Sequence, residues 1–141
     1  MSSVPRATMA AAKFAKLAIL YVPCSSQQEA ERIASQLLFE KLIVCANIYH
    51  SVSMYLWKKS LTKTNEKVLF AKTITDKVSK AQRRIQQLHS YECPAILVLP
   101  VTGVNASYLQ WCIGELSSKE QKNRKTNDRR NLSSQRRRLQ R

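Results

Sequence analysis

Glycine is almost missing from this chain, with two residues in 141. Gly103 and Gly114 stand apart, so there is neither a Gly-rich nucleophile elbow nor a phosphate-cradling loop, and acyl or phosphoryl transfer loses its usual scaffolds. Histidine is as scarce, with His50 and His89 alone. The four cysteines, Cys24, Cys45, Cys93 and Cys112, include no Cys-x-x-Cys pair, which excludes a sequence-local zinc cage. They also lack the pattern of a disulfide-stapled secreted domain. A reducing compartment is therefore expected, the cytoplasm first and the mitochondrion as the alternative. No apolar run approaches the roughly 18 residues of a membrane-spanning helix. Acidic residues are few too: nine Asp and Glu face 24 Lys and Arg, for a net charge of +15.

That charge is unevenly spread. Residues 117–141 hold ten basic and two acidic side chains, or +8, and the remaining 14 basic and seven acidic residues give +7. Nearly devoid of large apolar residues, 117–141 reads as a disordered basic tail. Its charge could hold nucleic acid or an anionic surface, although such runs are usually solvated. Residues 1–16, Ala-rich and without acid, read as a flexible N-terminus with weak presequence character. One domain is left, 17–116.

Within it, Leu17 to Val22 is a continuous apolar run ended by Pro23, as expected of a central strand. Ser26 and Glu29 have capping-box spacing, and behind them Ala30, Ile33, Ala34, Leu37, Leu38 and Leu42 recur at helical spacing. Ile43 to Ile48 and the alternating Val52 to Trp57 predict a long or broken second strand, bent near His50 and Ser51. Lys58 to Asn65 reads as a polar hairpin tip, and Val68 to Ala71 as strand three. Asp76 is the expected cap of a basic second helix with Val78, Ala81, Ile85 and Leu88 inward. Strand four is expected over Ala95 to Leu99, and Asn105 as the cap of a last helix burying Leu109, Cys112, Ile113 and Leu116.

The order β-α-β-β-α-β plus a trailing helix predicts an α+β, ferredoxin-like sandwich with an extra C-terminal helix. Right-handed crossovers set strand four antiparallel beside strand one. Cys24, at the end of strand one, is then brought to the turn His89-Ser90-Tyr91-Glu92-Cys93-Pro94, where an imidazole, a phenol, a carboxylate and a thiol crowd together. Thiolate and imidazole suit copper, so Cys24, His89, Glu92 and Cys93 are the candidate metal ligands. The bland alternative is a polar turn with half-buried thiols. Catalysis is not expected, since nothing is placed to orient the imidazole. Tyr55 and Trp57 could stack bases, but a subunit-interface role suits them better.

Several blocks carry a family likeness: Leu42-Ile43-Val44-Cys45-Ala46-Asn47-Ile48, Ser53-Met54-Tyr55-Leu56-Trp57-Lys58, Lys72-Thr73, His89-Ser90-Tyr91-Glu92, Leu99-Pro100-Val101 and Tyr108-Leu109-Gln110-Trp111. In order and spacing, from Leu17 to Leu116, they resemble the CutA divalent-cation-tolerance family, and the chain looks like a diverged animal-type member. The resemblance implies a ferredoxin-like fold and a tight homotrimer built through the long hairpin. It further implies copper or another divalent cation bound by the cysteine ending strand one and a His-Pro-Tyr-Glu turn. Cys24, His89, Tyr91 and Glu92 match those positions. It also implies, as an alternative without metal, a trimeric scaffold or trafficking partner of the acetylcholinesterase-anchoring type. The pattern is broken at Ser90, where the family has proline, and at Ala95, where it has glutamate. It is broken again at Lys59, where it has glycine, and at Thr62-Lys63-Thr64, where its hairpin tip is acidic. The bend at Tyr49-His50-Ser51 reads as one residue short.

Overall fold

A computed structural model describes residues 16–117; the N-terminal expectation for 1–16 and the tail expectation for 117–141 fall, but for Lys16 and Ser117, outside them. Strand β1 (Leu17–Cys24) turns Ala18, Leu20, Val22 and Cys24 to a buried face. Helix α1 (Gln27–Phe39) lays Ala30, Ile33 and Leu37 against that face. Strands β2 (Cys45–Trp57) and β3 (Ser60–Ile74) form the long hairpin, a 3₁₀ turn spans Thr75–Lys77, and helix α2 (Val78–Leu88) adds Ala81 and Ile85 to the same core. Short strand β4 (Leu97–Pro100) and helix α3 (Ala106–Glu115) complete the chain.

The sheet order is β2-β3-β1-β4 with every neighbouring pair antiparallel, the expected ferredoxin-like arrangement. β4 lies beside β1 as the crossover rule required. A second cluster, in which Leu109, Cys112 and Leu116 meet Leu17 and Val44, seats α3 at the Leu17 end of the sheet. Buried Thr73 is satisfied by donating from Oγ1 to the Leu42 carbonyl at 2.7 Å. Among the described residues, no helix is long and apolar enough to cross a membrane.

Of the two forms expected of the second strand, the long one is observed: β2 runs unbroken through His50 and Ser51, which pair with Lys67 and Glu66. Three local expectations are corrected. The segment 60–65 is strand rather than hairpin tip, and the turn is only Lys58-Lys59, with Trp57 opposite Ser60. Alternating threonines suit a pleated strand however polar the stretch. Asp76 sits inside the 3₁₀ turn, and α2 opens without a side-chain cap. β4 starts at Leu97, two residues after Ala95.

The long hairpin outruns the rest of the sheet. β1 accompanies β3 only as far as the pair Cys24 and Lys67, so the part from Ser51 to Glu66 is a bare two-stranded arm. Leu56, 72 % exposed, and Trp57, 63 % exposed, lie near its tip, with Val52, Met54, Tyr55 and Leu61 also open.

Candidate metal centre

The site begins with a helix cap. Ser26 Oγ accepts from the Glu29 amide at 3.1 Å, which starts α1 immediately after β1 and fixes Glu29 one turn from Cys24. In a capping box the Glu29 carboxylate would return to the Ser26 amide. Instead Oε1 accepts from the amide and hydroxyl of Ser25, at 3.0 and 3.1 Å, and Oε2 accepts from the Ser90 amide at 3.0 Å. One carboxylate thus ties the start of α1 to the turn that follows α2. Burial alone would raise its pKa, but the hydrogen bonds from Ser90 and Ser25, with His89 nearby, outweigh that and hold it at about 2.

His89 is the first residue beyond α2, and its amide still donates to the Ile85 carbonyl. Its ring is held at both nitrogens. Nδ1 accepts from the Tyr91 amide at 3.0 Å, so the ring proton resides on Nε2, which donates to the Pro23 carbonyl at 2.8 Å. Nδ1 also lies 3.9 Å from Glu29 Oε1. Cys24 is fully buried, and its thiol donates to the Val22 carbonyl at 3.5 Å. Burial first, then the Glu29 and Glu66 carboxylates, push that thiol up to about 12, with Arg32 offsetting only part.

Cys24, Glu29 and His89 therefore offer a sulfur, an oxygen and a nitrogen within 4.8 Å of one another, all three buried. This donor set suits a copper- or zinc-like ion. The imidazole is already oriented for a ligand's role, because ligating histidines commonly donate their other N–H to a carbonyl, as Nε2 does to Pro23. Two adjustments are needed for an ion. A tetrahedral centre with bonds of about 2.0–2.3 Å would draw the donors to roughly 3.5 Å apart, and Nδ1 must release the Tyr91 amide. The residues present fit the group, with a thiol proton to be displaced on binding.

The structure brings Cys24 and His89 together as expected and leaves Glu92 and Cys93 exposed, outside this trio. Tyr91 is adjacent: its ring lies 4.7 Å from the His89 ring and its hydroxyl donates to Glu66 Oε2 at 2.9 Å. Burial and that acceptor raise the phenol to about 12. Tyr55 and Trp57 stand on the arm, where the Tyr55 hydroxyl pairs with Thr64 Oγ1 at 3.1 Å. Glu29 escaped sequence reasoning because its spacing from Ser26 already had an explanation as a cap. The proximity of Cys24 to His89 follows from the topology, but the direction of the Glu29 side chain is set by the Ser25 and Ser90 contacts, which no spacing in the sequence records.

Comparisons with known proteins bear on the family and the fold. The family model of the CutA1 divalent ion tolerance protein matches residues 18–115. A divalent-cation tolerance protein CutA of Pyrococcus horikoshii is 35 % identical over 97 residues, covering 69 % of this chain and 95 % of its own. A CutA homolog of Xenopus laevis is 34 % identical over 101 residues, covering 71 % of this chain and 66 % of its own. The crystal structure of the divalent ion tolerance protein CutA1 from Ehrlichia chaffeensis superposes with a TM-score of 0.71 at 32 % identity, covering 74 % of this chain and 98 % of that one.

Proposed function

Because the chain belongs to the CutA1 divalent ion tolerance family, we propose that it is a non-enzymatic metal-binding protein. It takes copper or another divalent cation at Cys24, Glu29 and His89 and acts, as a homotrimer, in metal-ion tolerance. The observation that carries this reading is the buried sulfur, oxygen and nitrogen trio with the imidazole already anchored on Pro23. Glu92 and Cys93 on the exposed turn are outer donors that could widen the coordination. Four free thiols support a reducing compartment, the cytoplasm first and the mitochondrion as alternative.

Bound metal would be held by the three side chains, and the chemistry it supplies is coordination alone. The chain's own residues would do the rest: the Pro23 carbonyl orients the imidazole, Ser25 and Ser90 hold the carboxylate, and the thiol gives up its proton. Copper titration of the wild type against Cys24→Ser and His89→Ala tests the site. Each substitution is expected to weaken binding by about tenfold or more, the least that loss of a ligand does where outer-shell losses already cost that much. Equal affinities in all three would sink the reading. One observation favours a second reading, a trimeric scaffold or trafficking partner of the acetylcholinesterase-anchoring type without metal. Every buried polar side-chain atom among the described residues already has a partner with no ion present. The same titration separates the two.

A further inference from the structure

We infer that Tyr91 is a positioning residue which keeps the metal seat capped and links its occupancy to the root of the hairpin arm; this rests on the metal reading above. Tyr91 makes two bonds that face different ways. Its amide covers the one lone pair of His89 that an ion could use, at 3.0 Å, because Nε2 carries the ring proton for Pro23. Its hydroxyl reaches Glu66 Oε2 at 2.9 Å. Glu66 is no ordinary anchor point: the last β1 and β3 pair is Cys24 with Lys67, so Glu66 is the first residue of β3 that β1 no longer covers. Across the hairpin it pairs with Ser51. Ring contact between Tyr91 and His89, with centroids 4.7 Å apart, completes the connection.

An ion that takes Nδ1 must push the Tyr91 amide aside. The Tyr91 backbone cannot shift freely while its phenol is tied to Glu66, so the hydroxyl bond holds the cap shut. Conversely, metal entry strains or breaks the bond and loosens the arm root. Such coupling is reciprocal: whatever steadies the arm must weaken metal binding by the same factor.

Tyr91→Phe is the direct test, since it removes the hydroxyl and retains the ring against His89. The full chain is titrated with copper(II), and amide hydrogen exchange is followed with and without copper for the wild type, Tyr91→Phe and Cys24→Ser. The expected result is copper binding about three- to tenfold tighter in Tyr91→Phe, the equilibrium worth of one hydrogen bond. Copper should also raise exchange around Ser51 and Glu66 in the wild type, with that response lost in Tyr91→Phe. A merely structural role for the hydroxyl would not move the copper response of the arm. If copper binds through Cys24 but Tyr91→Phe leaves affinity unchanged or weaker, or the wild-type arm ignores copper, the inference is overturned while the metal reading stands. If copper binds the wild type and Cys24→Ser alike, or neither, the metal reading falls and takes this one with it.

Discussion

Glu29 shows how a single side chain can be cap, strut and donor at once. It is 6 % exposed and accepts three hydrogen bonds from Ser25 and Ser90, which is why its folded pKa lies near 2 rather than at 4.5. A depressed carboxylate pKa stabilises the fold fully above the unfolded value, and that stabilisation is lost as pH falls from about 4.5 toward 2. Glu29→Gln should therefore be less stable than the wild type by about 2 kcal/mol at pH 7 in urea unfolding. The gap should narrow steadily below pH 4.5. A gap independent of pH would mean that the neutral amide loses packing rather than charge-assisted hydrogen bonds. The same residue marks what the sequence withheld. Cys24 and His89 were legible as partners because crossover handedness sets β4 beside β1. The identity of the carboxylate was not, because only the backbone of the Ser25 to Glu29 turn decides where that side chain points.

The β2 and β3 hairpin is the element whose details departed most from the sequence pattern. Its turn residues Lys58 and Lys59 have φ of 48° and 66°, left-handed values at both central positions, as a two-residue type I′ turn demands. Asn-Gly meets that demand with little strain, whereas lysine carries a Cβ penalty at each position. Lys58→Asn combined with Lys59→Gly is thus expected to stabilise the fold by about 1 kcal/mol, raising Tm by roughly 4–8 °C for a domain of this size. A calorimetric Tm that stays put or falls would show that the lysines make contacts outweighing their backbone strain. Reading Lys58 to Asn65 as a loop failed for a physical reason. Polarity is no bar to a strand here: Thr62 and Thr64 are only half-buried on a two-stranded ribbon, while Leu61, Lys63 and Asn65 between them are exposed. The helices were legible because α1 and α2 each bury one stripe against the sheet, and their spacing records it. The Asp76 cap was misplaced by one position because a 3₁₀ turn, common at helix N-termini, intervenes before α2, whose N-cap is Lys77.

At the scale of the whole molecule, two features oppose each other. The arm carries Leu56 and Trp57 mostly in water, and a two-stranded ribbon alone is marginally stable. Burial against another copy offers about 1.5–3 kcal/mol for each such side chain. Against this stands charge: at +15 per chain, three chains together carry +45, of which residues 117–141 supply +24. Self-repulsion of that size weakens association at low ionic strength and is screened as the Debye length falls from roughly 30 Å at 0.01 M to 3 Å at 1 M. In the proposed homotrimer the apolar arm must overcome this repulsion. Light scattering should then report three times the monomer mass, with the trimer dissociating at a protein concentration that drops as salt rises. Deleting residues 117–141 should flatten that salt dependence and tighten the trimer at low salt. Leu56→Lys with Trp57→Lys should give a folded monomer at every salt concentration, since it removes the apolar contribution and adds charge to each arm. A wild type that scatters as a monomer throughout would leave the arm without its copy, and with it the assembly through which the arm root could report on copper.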